Sequence, residues 1–323
     1  MRKAALKKHP LKRLKARLGS DEDKIMKPFD IGTYLKEKKE LVDRTLDSVL
    51  PEKDSFPPQL HQAMRYCLFS GGKRLRPILA IAAAEAVGAD GYTVVREACA
   101  LELIHTYTLI HDDLPSMDND DYRRGCLTTH RVFGEAVAVL TGDALQTEAF
   151  CLLSATENSA FSPEQKIKVI KLISEACGSK GIIGGQAVDL ESEGKTISRE
   201  RLDYIHSHKT AKLITSAVLT GAILADANKV QLTDLNRYGE AIGLAFQITD
   251  DILDIISTTE QLGKTVGKDQ KVEKATYPSL LGIKEAKKIQ MSLYEKSLDS
   301  IKTFDEKAGP LREIAKLIIE RKN

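Results

Sequence analysis

The sequence predicts an all-α fold, and three observations predict it. Apolar residues recur at spacings of three and four over long segments. Runs with the period-two alternation of a half-buried strand are scarce. The segments are separated by Gly-, Pro-, Asn- or Ser-containing breaks that stop helices. Taken in order, Asp30 can cap a helix reaching Leu50, Pro57-Pro58 opens a second that ends at Gly71-Gly72, and Pro77 starts a third. Apolar segments follow from Tyr92 to Asp113, from Gly134 to Thr156, and from Pro163 to Cys177 behind the cap Ser162. Residues 181–191 make a shorter helix, and Arg199 to Ala227 reads as one interrupted helix or two. Thr233 to Ser257 is long and apolar enough to be central, and the last helices run from Lys284 to Phe304 and from Pro310 to Arg321. No fixed-period repeat is present, but two similar acidic clusters end two of the long apolar helices, which points to one site shared between them.

With 323 residues, 42% of them hydrophobic, the chain can fill one large core or two smaller ones, and no linker forces two. The longest apolar runs, such as Ile78 to Ala84, fall well short of the roughly 20 residues that span a bilayer, so no stable membrane insertion is expected. Five cysteines, Cys67, Cys99, Cys126, Cys151 and Cys177, have neither C-x-x-C nor Cys/His spacing. A disulfide framework or a zinc site is therefore not expected, and a reducing cytoplasm fits best.

The overall charge of +2 conceals an asymmetry: residues 1–25 carry nine Lys or Arg against three Asp or Glu, leaving −4 for the remainder. Leu11, Leu14 and Leu18 among Lys12, Arg13, Lys15 and Arg17 have the spacing of a basic amphipathic helix for a membrane surface or a nucleic acid. The plainer reading, preferred here, is a mobile basic extension over residues 1–28, or upstream sequence before a natural start at Met26. Neither a secretory signal nor a nucleic-acid partner is expected.

In the second acidic cluster, Asp250 and Asp254 stack at i, i+4 on one helix face, Asp251 flanks them, and Gln247 stands one turn earlier. Like charges at that spacing destabilise a helix by a few tenths of a kcal/mol, so a cation is expected to offset them. A purely oxygen donor set favours a hard ion such as Mg²⁺, which takes one or two carboxylates together with phosphate oxygens and water. In the first cluster, Asp112, Asp113 and Asp118, Pro115 should break the helix and let the chain bulge so that Asp118 swings back. His105, Thr108 and Asp112 form one helical stripe that reads as a pocket wall. Cations accompany both clusters: Lys73, Arg74 and Arg76 after Gly71-Gly72, Arg123-Arg124-Gly125, Lys209-Thr210, and Lys264 and Lys268 around Gly263 and Gly267. Their natural common ligand is phosphate, which Arg meets with paired N–H groups and Lys as a point charge. The spacing is not that of a Walker loop.

Together these residues resemble the trans-isoprenyl diphosphate synthases, most closely the bacterial farnesyl diphosphate synthases, over about residues 29–323. The resemblance rests on five motifs in the family's order: Gly71-Gly72-Lys73-Arg74-Leu75-Arg76-Pro77; the first Asp cluster with its two-residue insertion and Arg123-Arg124-Gly125; Gly184-Gly185-Gln186; Lys209-Thr210; and Phe246-Gln247 through Asp250-Asp251-Ile252-Leu253-Asp254. It implies a single large helical bundle of the isoprenoid synthase type with a central cavity between two Asp-rich helices, and a homodimer. It also implies that Lys73, Arg76, His105 and Arg124 hold isopentenyl diphosphate, while Arg123, Lys209, Thr210, Gln247 and Lys264 surround an allylic diphosphate. Asp112, Asp118 and Asp250 would be the main magnesium ligands, with Asp113 and Asp254 beside them, and three ions would bind with the diphosphate. The sequence departs from many relatives at Cys126-Leu127, where a Pro is usual, and in its basic tail.

The implied reaction is condensation of isopentenyl diphosphate with dimethylallyl and geranyl diphosphate to farnesyl diphosphate, with the released diphosphate removing the proton. Tyr107 and Thr108, five and four residues before Asp112, would set product length: in the family a bulky aromatic at such a place stops the chain at fifteen carbons, and a smaller residue permits twenty. A geranylgeranyl diphosphate synthase shares every motif and is the nearest rival. A non-catalytic prenyl-diphosphate-binding subunit is a second, which the intact Asp, Arg and Lys sets oppose. A class I terpene cyclase would not need the Lys73, Arg76 and His105 pocket.

Overall fold

A computed structural model describes residues 29–156, 160–262 and 276–321, with side chains not described at 257–262. Contacts divide the chain into Met1–Asp30 and Ile31–Asn323, and the second unit is the helical body. Its helices are α1 (Ile31–Val49), α2 (Pro58–Phe69), α3 (Leu75–Val87), α4 (Val95–Asp112), α5 (Thr129–Phe133), α6 (Glu135–Ser154) and α7 (Pro163–Cys177). They continue as α8 (Ile182–Ser192), α9 (Arg199–His206), α10 (Lys212–Leu224), α11 (Lys229–Leu262), α12 (Tyr277–Leu281), α13 (Ile283–Ser300) and α14 (Gly309–Glu320). The class is all-α as expected, and the sheet among the described residues is one hairpin, β1 (Tyr122–Arg123) against β2 (Cys126–Leu127).

Local chemistry explains most boundaries. At α7 the reading of Ser162 and Pro163 holds: Ser162 accepts from Gln165 N–H, Gln165 caps Ser162 N–H in return, and Pro163 occupies the first turn. Gly88, at φ 109°, ends α3 because only glycine takes that conformation without steric cost. Three expectations need correction. The third helix begins at Leu75 rather than Pro77, since proline fits inside a first turn where its missing N–H has no partner to lose. The central helix starts at Lys229, four residues early, because Asn228 Oδ1 accepts from Val230 and Gln231 N–H and forms the entry turn. The 20-residue α6 is long and apolar enough to cross a bilayer, contrary to the reading that no segment comes near that length. Its inner side, Ala138, Leu145, Ala149 and Leu152, is buried where α6 packs on α4, as in a core helix.

The core forms where α3, α4, α10 and α11 cross. α3 is buried nearly all round, from Pro77 through Ala84, so it shows little amphipathicity. α10 packs on α3, α11 and α7. Gly221 of α10 faces the Ala80 carbonyl of α3 so closely that a Cβ there would overlap the backbone oxygen. The crossing exists only because this position has no side chain. α4 and α11, each carrying one acidic cluster, are thus held by a shared core.

Candidate active site

The first cluster takes the shape its proline dictates. α4 ends at Asp112, and the chain turns back so that Asp118 N–H donates to the Asp112 carbonyl at 2.8 Å and Asn119 N–H to the Leu114 carbonyl at 3.1 Å. Asp118 is thereby returned to Asp112 despite five intervening residues. Burial pushes the Asp112 carboxyl up to about 6, with Lys209 and Arg123 opposing and the charges of Asp118 and Asp113 adding to the rise. Asp113 is committed otherwise: both of its oxygens accept from Arg123 Nε, at 2.7 and 2.9 Å, and Arg123 Nη2 approaches Oδ1 at 2.5 Å. Arg123 belongs to β1, and the β1–β2 hairpin turns through Arg124 and Gly125, both at positive φ. Cys126, at the departure from the usual proline, pairs with Arg123 across that hairpin.

A second basic group lies around His105. Gly71 and Gly72 both have φ near +120°, and a Cβ on Gly72 would meet Arg124 Nη1 at 2.6 Å, so the glycine opens the place in which that guanidinium lies. Arg124 Nη1 donates to the Gly71 carbonyl at 2.8 Å. Arg76 is lowered to about 10 by burial, and its buried Nε has no partner. His105 is held well below its ordinary value by burial and by Arg76, Arg124, Arg123 and Arg74, so it is neutral. Lys73 is exposed beside them. Arg74 differs from its neighbours: it is buried between Asp43, at 2.6 Å, and Glu102, at 3.0 Å, and anchors the loop. A buried guanidinium nitrogen without a partner, among several Arg side chains that hold His105 neutral, is the signature of an anion site.

Lys209 and Thr210 sit on a π-helical turn, Ser207–Ala211, between α9 and α10. Such turns are rare and concentrate at functional sites. The turn is gripped by two glycines. A Cβ on Gly185 of α8 would meet Lys209 N at 2.6 Å, and one on Gly243 of α11 would meet Ala211 Cα at 2.7 Å. The Gly184-Gly185-Gln186 motif therefore has a steric reason. Lys209 Nζ pairs with Asp189 at 2.7 Å and also acts on Asp112. Thr210 Oγ1 donates to Gln247 Oε1 at 2.8 Å, which joins the π turn to the second cluster.

In that cluster the three carboxylates are unequal. Asp251 is buried and accepts from Gln247 Nε2 and Tyr277 N–H, both at 3.1 Å, and burial pushes it up to about 6 against those bonds. Asp250 is partly exposed and pairs with Arg321, whose guanidinium lies 4.1 Å over the Phe246 ring. Asp254 is exposed. Tyr107 is 5% exposed, set edge-on to His111 with ring centroids 5.8 Å apart, and its buried hydroxyl has no partner. Thr108 donates to the His105 carbonyl at 2.8 Å. Lys264, with Lys268, lies outside the described residues.

The donor set fits a hard divalent ion held jointly with a diphosphate. Burial raises Asp112, a guanidinium already sits on Asp250, and the carboxylates supply the oxygen donors such an ion prefers. Among the described residues no group of three or more His, Cys, Asp or Glu closes on a metal by itself. Sequence reasoning missed two site residues. Asp189 follows Gly185 by one helical turn, a spacing that already placed it on the same face, whereas Arg321 carries no local signal because its partner is 71 positions away.

Comparison with known proteins agrees with this geometry. The polyprenyl synthetase family model matches residues 57–314. The chain is 47% identical over 303 residues to a geranylgeranyl diphosphate synthase of Cyanophora paradoxa, covering 92% of this chain and 100% of the relative. It is 42% identical over 296 residues to a farnesyl diphosphate synthase of Geobacillus stearothermophilus, covering 92% and 99%. Its fold superposes with a TM-score of 0.80 on an FPP/GFPP synthase from Zymomonas mobilis, at 36% identity over 90% of this chain and 98% of that one. The chain belongs to the polyprenyl synthetase family, the trans-isoprenyl diphosphate synthases, whose members are prenyltransferases of isoprenoid biosynthesis.

Proposed function

We propose that this enzyme joins isopentenyl diphosphate to an allylic diphosphate, releasing diphosphate and lengthening the chain by five carbons. The observation that carries the reading is the pair of distinct cationic groups: Arg76, Arg124 and Lys73 around neutral His105, and Arg123 and Lys209 beside the carboxylates. A reaction that binds two diphosphates needs both. Asp112, Asp118 and Asp250, with Asp113 and Asp254 near them, would hold Mg²⁺, which supplies Lewis-acid stabilisation of the departing diphosphate when bound. Lys209 and Arg123 receive the negative charge that develops as the allylic C–O bond breaks and its electron pair stays with the diphosphate oxygen. Lys264 is assigned the same role from its motif.

The first cationic group holds isopentenyl diphosphate so that its double bond meets the allylic carbon, and orientation of this kind supplies several kcal/mol. The π electrons form the new C–C bond, and a proton lost from the adjacent carbon to the released diphosphate restores a double bond. His105, held neutral, has one imidazole N–H to donate to a diphosphate oxygen and adds no charge of its own. Val139 and Leu140 on α6 and Ile167 on α7 are exposed apolar residues, which supports a second copy of the chain packing there.

Two product lengths have specific support. One 47% identical relative is a geranylgeranyl synthase, and geranylgeranyl synthases recur among relatives at 43–44% identity, so the comparisons favour twenty carbons over fifteen. The buried aromatic Tyr107 five residues before Asp112 favours fifteen, as does the 42% identical farnesyl synthase. Chromatography of products from isopentenyl diphosphate with dimethylallyl, geranyl or farnesyl diphosphate, with and without Mg²⁺, tests the reaction and separates the two. No elongation of any primer would sink the prenyltransferase reading. If Tyr107 is the floor, Tyr107→Ala lengthens the main product by at least one five-carbon unit, and an unchanged distribution removes it from that role.

A further inference from the structure

Behind Thr210 runs a chain of hydrogen bonds whose direction is imposed from its far end. The backbone N–H of Tyr277 donates to Asp251 Oδ2 at 3.1 Å, Gln247 Nε2 donates to Asp251 Oδ1 at 3.1 Å, and Thr210 Oγ1 donates to Gln247 Oε1 at 2.8 Å. Asp251 is 4% exposed, so these contacts replace water. His206 Nε2 stands 3.6 Å from the same Oδ2, and Tyr277 is tied further by its hydroxyl to Asp203. An amide side chain has a donor end and an acceptor end, whereas a carboxylate only accepts. Asp251 therefore obliges Gln247 to turn its nitrogen inward and its oxygen toward Thr210. Thr210 has one hydroxyl proton, and that proton goes to Gln247. Its lone pairs are not engaged by Gln247, and Lys209, the preceding residue, acts on Asp112.

We propose that Asp251 is a positioning residue that sets the polarity of this relay, so that Thr210 offers an oxygen lone pair, and not a proton, to the allylic carbon as it becomes positive. This rests on the prenyl-transfer reading. It assigns the three carboxylates of the cluster different work: Asp250 and Asp254 face outward to charge, and Asp251 acts through Gln247 and Thr210 without touching substrate. A dipole aimed the wrong way at a developing charge removes stabilisation and adds repulsion, so the effect falls on the bond-making steps.

Asp251→Asn tests it with almost no change of shape. Tyr277 N–H cannot turn, so it claims the single oxygen of the new amide, and the NH₂ then faces Gln247. The Gln247 amide reverses, donates to Thr210, and drives the hydroxyl proton toward the site. Turnover should fall by about 100-fold, the scale of losing one preorganised dipole, with KM for isopentenyl diphosphate within about twofold of wild type. Gln247→Glu alone sets two carboxylates against each other and should also be impaired. Combined with Asp251→Asn it restores the original direction, because the new amide donates to Glu and Glu accepts from Thr210. The double variant should regain at least about tenfold over Asp251→Asn.

Calorimetric titration of Asp251→Asn with Mg²⁺ and inorganic diphosphate should give wild-type affinity. A large loss would place the effect in metal binding and overturn the proposal, as would normal turnover in Asp251→Asn or a double variant no better than its worse parent. Should Asp251→Asn not fold, Thr210→Val carries the test: it removes the hydroxyl alone, and wild-type turnover there overturns the idea. Wild-type product formation, run in the same assay, reports on the prenyl-transfer reading separately.

Discussion

Asp112 pairs stability against function at a single residue. Its carboxyl holds a proton up to about pH 6 in the fold, against about 4 in an unfolded chain. The folded state thus binds more protons between those values, and stability falls as pH rises through that window. The penalty above pH 6 is about 3 kcal/mol. Asp112→Asn cannot ionise, so the metal-free variant should exceed wild type by about that amount at pH 8 and match it near pH 4, as read from urea unfolding. A difference that does not vary with pH would show that burial of the charge is not the cause. The residues of this site were legible by type: paired carboxylates, glycines beside cations, a proline in an acidic turn. Their partners were not. That Asp113 is bound by Arg123 at 2.7 and 2.9 Å, and Asp250 by Arg321, depends on contacts no spacing encodes.

Among the elements, the π turn is the piece on which geometry depends most. α8 and α11 close on it through Gly185 and Gly243, and each would otherwise overlap its backbone. Gly185→Ala should push the Lys209–Thr210 turn outward. Overpacking against backbone costs about 1–3 kcal/mol, and displacement of the turn should lower turnover at least about tenfold through misplacement of the two side chains. Circular dichroism melting and steady-state kinetics measure the two effects, and a stable variant with normal turnover would show that the turn tolerates the shift. Periodicity did foresee an interruption between Arg199 and Ala227, because the apolar spacing slips there. It could not say that the interruption is a π turn, since an i→i+5 bond is stabilised by what packs against it. The boundaries at Leu75 and Lys229 shifted for similar local reasons, a proline tolerated in a first turn and an Asn at a helix entry.

Over the whole molecule, two acidic clusters, two basic groups and the π turn are brought to one region by the crossing of α3, α4, α10 and α11. A ligand that binds only this assembled region stabilises the fold by mass action. At 100 times its dissociation constant, Mg²⁺ with inorganic diphosphate should raise stability by about 2.7 kcal/mol, a few degrees in Tm for a chain of this size. Asp112→Ala and Asp250→Ala should each abolish most of that rise and reduce turnover by orders of magnitude. Wild-type thermal shifts in both would place the ion elsewhere.

By itself the sequence determined the helical class, the order of the five motifs and the residue types gathered around the acidic clusters, because apolar period, helix breakers and side-chain type are local properties. The tertiary structure decided which carboxylate is engaged by an arginine, which is left exposed and which holds a hydrogen-bond relay. It also brought in Asp189 and Arg321 and gave Gly185, Gly221 and Gly243 their purpose. Those assignments depend on distances between residues tens of positions apart. Such distances follow from how helices cross, and a periodic pattern specifies a buried face without naming what that face meets.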